Sequence, residues 1–121
     1  MGSTGNDYML GAGGNDILLG NQCNDTLVGG TGNDRLTGEG GADRFVFGAD
    51  HGRDSIVDFR AAQGDVVQLI GFGPAFDSFG EVQAKLRQAG TDVVLDLVAG
   101  NRITFEDVTV GAFTADSFLF A

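Results

Sequence analysis

The chain has 121 residues, a mass of 12.5 kDa, a net charge of −10 and a pI near 4.1, a balance that repels nucleic acid and anionic membrane rather than recruiting them. A single cysteine excludes an internal disulfide, and no apolar run approaches the length of a membrane-spanning helix. The length suits one domain or the end of one, and fourteen Asp against three Glu favours short carboxylates placed in turns.

From Gly2 to Val46 the sequence reads in nines: GSTGNDYML, GAGGNDILL, GNQCNDTLV, GGTGNDRLT and GEGGADRFV. Glycine opens every copy, a carboxylate recurs at the sixth place (Asp7, Asp16, Asp25, Asp34, Asp43), and a bulky apolar residue recurs at the eighth (Met9, Leu18, Leu27, Leu36, Phe45). The first six residues of a copy suit positive φ and tight turning, and the last three alternate as a short strand. So short a strand buries nothing alone, which predicts a solenoid: two copies make one coil, and coils stack as parallel strands about 4.8 Å apart. Residues eighteen apart then lie above one another, stacking Asp7 under Asp25, Asp16 under Asp34 and Asp25 under Asp43. Carboxylates stacked so closely repel, and within the repeats only Arg35 and Arg44 are basic. The missing positive charge is read as a bound cation. The donors are hard oxygens with no His or thiolate at a repeated position, so Ca²⁺ suits them better than Zn²⁺, copper or the geometrically stricter Mg²⁺.

Residues 2 to 46 resemble the GGxGxDxUx nonapeptides of the RTX (repeats-in-toxin) family, whose fold is a calcium-filled right-handed parallel β-roll. The resemblance implies a site between each loop and the loop two copies later. The first would use Ser3, Gly5 and Asp7 with Gly20, Gln22 and Asp25. The second would use Ala12, Gly14 and Asp16 with Gly29, Thr31 and Asp34, and the third Asn21, Cys23 and Asp25 with Gly38, Gly40 and Asp43. Most of these ligands are backbone carbonyls, so their side chains are free to vary. Cys23 and Asn21 depart from the glycines of the motif, and a positive φ at Cys23 would store about 1–2 kcal/mol of strain.

Phe47 to Phe59 reads as a degenerate sixth copy with two residues added, and its Asp54 is placed to complete a site over Asp34 with Gly30 and Gly32 beneath. Asp58 and Asp65 flank the next turn, in a stretch resembling the segment after the repeats in secreted proteases and alginate epimerases of the RTX type. They are read either as ligands of a last ion, for three to five Ca²⁺ in all, or as residues that hold turns. A turn around Gly73 and Pro74 then leads to a predicted helix over 78–88, with a capping box at Ser78 and Glu81 and Gly90 as its C′ residue. Val93 to Leu97 and Arg102 to Phe105 predict a hairpin, and Phe113, Phe118, Leu119 and Phe120 supply further core or strand. The expected architecture is all-β: a calcium-binding parallel β-roll over 1–59, closed by a small α+β cap over 60–121 in the same structural unit.

No catalytic constellation assembles from the sequence: His51 is the sole histidine and lacks a neighbouring nucleophile, so it is read as a loop residue. Arg35, Arg44, Arg53 and Arg60 fall roughly nine apart and are read as one side of the roll, either balancing carboxylates or binding an acidic polysaccharide, as the R-modules of alginate epimerases do. The absence of a charged segment and apolar core in residues 1 to 10 predicts no Sec-type signal. The tail from Asp116 to Phe120 resembles the uncleaved C-terminal address of type I secreted proteins, which implies an extracellular module and a type I secretion apparatus as partner. A repeat with no coil beneath it at Met1 predicts the C-terminal piece of a longer exported protein, with an upstream domain as a further partner.

Overall fold

The computed structural model describes residues 5–48, 51–71, 79–97 and 100–120. Within the repeats each copy is a loop followed by a three- or four-residue strand: β1 (Tyr8–Leu10), β2 (Ile17–Leu19), β3 (Thr26–Val28), β4 (Arg35–Thr37) and β5 (Arg44–Phe47). Successive strands alternate between two sheets, so residues eighteen apart pair in parallel, as in Tyr8 with Thr26, Ile17 with Arg35 and Thr26 with Arg44. Irregular insertions are absorbed by the loops rather than the stack. β6 (Arg53–Ile56) pairs with β4 at an offset of twenty, Arg35 opposite Ser55, and β7 (Val66–Leu69) pairs with β5 at twenty-two, Arg44 opposite Val66.

The parallel stacking continues past residue 59. One sheet runs β1-β3-β5-β7-β11, ending in β11 (Phe118–Phe120) parallel to β7. The other runs β2-β4-β6-β10-β9-β8, with β10 (Arg102–Phe105) parallel to β6 and antiparallel to β9 (Asp92–Asp96), the expected hairpin.

The eighth-position side chains fill the space between the sheets. Leu27, Leu36 and Phe45 are fully buried, while Met9, on the end strand, is only partly so. Each fully buried Leu or Phe contributes roughly 1.5–3 kcal/mol. Toward the C-terminus the aliphatic column passes into aromatics: Phe59 stacks on Phe113 at 5.2 Å, Phe105 meets Phe113 edge-on at 4.8 Å, and Phe118 lies between Phe113 and Phe79.

The predicted helix over 78–88 is shorter than its spacing suggests. Helix α1 covers Phe79–Gln83, and Leu86–Ala89 is instead strand β8, antiparallel to β9 with Leu86 opposite Leu95. An eleven-residue helix is marginal by itself, whereas pairing the exposed edge of β9 satisfies a row of backbone donors and acceptors. Gly90, with φ 66°, therefore serves the two-residue hairpin turn Gly90–Thr91 rather than a helix C′ position. The Gly73 and Pro74 turn and the Ser78 half of the capping box lie outside the described residues.

Candidate metal centre

The loops acquire their shape from left-handed residues at the second and fourth places. Ala12, Asn21, Gly30 and Glu39 take φ between 65° and 82°, and Gly5, Gly14, Cys23, Gly32 and Gly41 between 77° and 98°. A Cβ added at Gly30, Gly32, Gly41 or Gly52 would collide with the carbonyl oxygen of Ala12, Gly14, Cys23 or Gly32 respectively. The second- and fourth-place carbonyls thus face the coil stacked on them, as an oxygen-lined site requires.

Two hydrogen-bond ladders running in opposite directions lock the loops together. The sixth-place carboxylates lean one way: the backbone N–H of Asp7, Asp16, Asp25, Asp34 and Asp43 donates to Oδ1 of Asp25, Asp34, Asp43, Asp54 and Asp65, at 2.7 to 2.9 Å. The fifth-place asparagines lean the other way, with the N–H of Asn24, Asn33, Ala42 and Arg53 donating to Oδ1 of Asn6, Asn15, Asn24 and Asn33. The asparagines were missed as architectural residues. Their signal was present in the sequence, since Asn precedes Asp in each of the first four copies.

Among the described residues, Oδ2 of Asp16, Asp25, Asp34 and Asp43 is buried without a hydrogen-bond partner. Such orphaned carboxylate oxygens are expensive in a protein interior. They also converge with carbonyls. The point a Cβ on Gly11 would occupy lies 2.7 Å from both Asp16 Oδ2 and the Gly29 oxygen, and the corresponding point at Gly20 lies 2.7 Å from Asp25 Oδ2 and 2.9 Å from the Gly38 oxygen. First-place glycine therefore preserves room for oxygens to meet. Burial, helped by like charge, raises the carboxyl of Asp34 to about 6 and that of Asp43 to about 7, and burial also raises Asp65. A divalent cation would relieve both the repulsion and the orphaned acceptors, and an all-oxygen donor set suits Ca²⁺. No cluster of three or more His, Cys, Asp or Glu able to hold a metal occurs among the described residues.

The structure brings together Asp16 with Gly29 and Asp25 with Gly38, and stacks the third-place residues, Gly40 over Gln22 and Thr31 over Gly13. Ser3 lies outside the described residues. The upper ends of the two carboxylate ladders differ from the middle. Asp54 Oδ2 meets Nδ1 of the buried His51 at 2.6 Å, and Asp65 Oδ2 accepts the N–H of Arg60 at 2.9 Å. Asp58 holds a turn: its two oxygens accept the N–H groups of Gly38 and Glu39 at 2.9 and 2.7 Å. Its charge also contributes to raising Asp43 and Asp65.

The arginines do not form one stripe. A nine-residue step moves a side chain to the opposite sheet, so Arg35 and Arg53 lie on β4 and β6 while Arg44 lies on β5. Arg35 is moreover engaged by Glu106 at 3.0 Å, and Arg102 and Arg87 both bind Asp96.

Comparison with known proteins agrees with this geometry. Residues 1–27 and 20–54 match the model of the RTX calcium-binding nonapeptide repeat. The extracellular lipase LipA of Serratia marcescens superposes with a TM-score of 0.81 and 29% identity, covering 99% of this chain and 20% of the lipase. The AlgE6R3 subunit of the Azotobacter vinelandii mannuronan C5-epimerase gives 0.54 and 27%, covering all of this chain and 81% of that one. Endo-1,3-1,4-beta-glycanase EglC of Rhizobium meliloti (strain 1021) is 39% identical over 77 residues, which is 64% of this chain. The chain spans 16% of the length of that curated relative.

Proposed function

We propose, from the premise that residues 1–54 belong to the RTX calcium-binding nonapeptide repeats, that the chain is a non-catalytic module that folds on calcium and so stabilises a larger exported protein. The observation that carries this reading is the row of buried, unpartnered Oδ2 atoms at Asp16, Asp25, Asp34 and Asp43. With Asp7 by periodicity, they support five cation positions, each between one carboxylate and the next above it: 7/25, 16/34, 25/43, 34/54 and 43/65. The carbonyl partners are those named from the resemblance, with Gly30 and Gly32 serving the 34/54 position. Calcium that binds only the folded state adds about 2.7 kcal/mol per site at a hundredfold excess over Kd. A few such sites exceed the stability of many small domains. The module would stay unfolded where calcium is scarce, pass through a type I secretion apparatus with the tail from Asp116 to Phe120 as its address, and fold outside the cell. The upstream partner would be an extracellular enzyme, a reading supported by the lipase and glycanase relatives. The division into a roll over 1–59 and a cap over 60–121 belongs to this proposal.

The experiment is a circular dichroism titration. In excess chelator the β-sheet signal should be lost, Ca²⁺ should restore it, and Mg²⁺ should do so poorly; a native spectrum in chelator would overturn the reading. A second reading, an acidic-polysaccharide binder, is favoured by the likeness to the epimerase subunit. It predicts saturable binding of alginate oligomers, which the division of the arginines between two sheets makes weaker than a single stripe would.

A further inference from the structure

The upper end of the Asp16–Asp34–Asp54 column departs from the repeat in three ways at once. First, Asp54 Oδ2 is not left for a cation but is met by His51 Nδ1 at 2.6 Å, with both residues buried. Second, the residue stacked on Asp54 in the next rung is the fully buried Ile103, where every lower rung places another carboxylate. Third, the neighbouring Gly52 donates its N–H to Oδ1 of Asn101, a side chain from the cap. An ionised carboxylate only accepts, so the imidazole Nδ1 carries the hydrogen and donates. The His51 ring is in turn fixed edge-on against Phe47 at 4.9 Å.

We infer that His51 is a positioning residue that stands in for the cation the repeat would otherwise require at Asp54 Oδ2, and so ends this column while fixing Asp54 as the upper ligand of its last calcium position. The physical logic is substitution of a cation by an N–H donor. Lower in the column an Oδ2 atom relies on a metal ion, but among the described residues no further carboxylate stacks above Asp54 to complete a site, and Ile103 offers no oxygen from its side chain. An unmatched Oδ2 there would be buried beside an aliphatic chain and would draw the Asp54 carboxylate away from Asp34. The Nδ1–H donor prevents this. It holds the plane of the carboxylate so that Oδ1 keeps its 2.7 Å bond to the Asp34 N–H, and therefore stays over the 34/54 position. His51 acts here as outer-shell partners of metal ligands do, orienting a ligand without touching the metal.

This inference rests on the calcium reading, and its test separates the two. Calcium stoichiometry and stepwise affinity are measured by isothermal titration on the full chain and on His51→Ala, His51→Asn and His51→Gln. Asn places its side-chain N–H near where Nδ1 stands, whereas Gln places it near Nε2. His51→Ala and His51→Gln should weaken one calcium ion by about tenfold or more, and His51→Asn should restore it. Adding His51→Ala to Asp54→Asn should produce no further loss, because His51 acts through Asp54. Should His51→Ala fail to fold at any calcium concentration, the contrast between His51→Asn and His51→Gln carries the test. Equal calcium binding by the parent, the Asn variant and the Gln variant overturns the role of His51 and leaves the calcium reading intact. A parent chain that binds no calcium overturns both.

Discussion

The two ends of the roll solve the same problem, covering the last rung of a stack, with different materials. At the N-terminal end β1 and β2 are edge strands that carry Tyr8, Leu10 and Ile17 at 64 to 69% exposure, and the inward column has dwindled to a partly buried Met9. At the C-terminal end the column is closed by Phe59, Phe105, Phe113 and Phe118, and each carboxylate ladder stops on a donor from the chain itself, His51 or the Arg60 N–H. One end has its hydrogen-bond donors and its apolar cover built into the sequence. Among the described residues, the other leaves Asp16 Oδ2 without a donor and its end strands exposed. The roll should therefore have a gradient of self-sufficiency rising from the N-terminus to the cap.

Chelation is the most severe test of that gradient. With calcium removed, hydrogen exchange should lose protection first and most completely over residues 8–37, and last among the strands that flank the phenylalanine cluster, β7, β10 and β11. Uniform loss across all strands would mean that the cap derives no stability of its own and that the two ends differ only in appearance.

A point substitution sharpens the same contrast within the metal positions. In the proposed scheme Asp25 serves two sites, one with Asp7 below and one with Asp43 above, whereas Asp7 serves one site at the weaker end. Asp25→Ala should lower calcium stoichiometry and the steepness of folding more than Asp7→Ala. Asp43→Ala should resemble Asp25→Ala, since it too has carboxylates on both sides, Asp25 and Asp65. Indistinguishable effects of Asp25→Ala and Asp7→Ala would break the eighteen-residue stacking of sites.

Protons should reveal the same sites more gently. Asp34 and Asp43 titrate near 6 and 7 in the folded chain against an ordinary 3.8, chiefly because burial disfavours their charge. A raised carboxyl pKa contributes stability that is fully present below the unfolded value and is lost as pH rises through the folded one. Without calcium, the roll should therefore gain order on acidification from about pH 8 to about pH 4. With calcium, protons compete for the same oxygens, so the affinity of the folded roll for calcium should fall as pH falls below about 7. A folded-state calcium affinity that does not change between pH 5 and pH 8 would show that the buried carboxylates are not the groups calcium neutralises.

The repeat was legible because three constraints recur in phase: glycine where oxygens need room, a carboxylate where the ladder needs an acceptor, and an apolar residue where the core needs filling. Periodicity turns each into a signal that survives a single exception such as Cys23. Outside the repeats each residue occurs once, and its role depends on what the fold brings to it. Leu86 to Ala89 has helical spacing yet becomes a strand because β9 presents an open edge, which no local pattern announces. His51 is a lone histidine until the loop lays it against Asp54. The arginines show the converse error, in which a real period was assigned to one face although alternate copies belong to opposite sheets.

The smallest expected effect tests how strictly the loop geometry is enforced where two coils meet. Cys23 and Gly32 both occupy the fourth place, with φ of 77° and 98°. Cys23→Gly should relieve about 1–2 kcal/mol of left-handed strain and return about 0.5–1 kcal/mol through the greater freedom of glycine in the unfolded chain, leaving a gain of at most about 1.5 kcal/mol. Gly32→Ala meets the same conformational penalty and a second one, because its Cβ would run into the Gly14 carbonyl oxygen. That oxygen is a proposed ligand of the 16/34 position, so the substitution should lower calcium affinity as well as stability. Gly5 beneath Cys23 and Gly14 beneath Gly32 lie in the same coil and are held from above by the same Asp and Asn ladders, so the difference follows from the substitution itself: one removes a Cβ already accommodated and the other adds one against an oxygen. Chemical denaturation at saturating calcium reads the first effect and calcium titration the second. If Gly32→Ala is as mild as Cys23→Gly, the Gly14 carbonyl yields to the added Cβ, and the close approach of the two loops does not shape the 16/34 position.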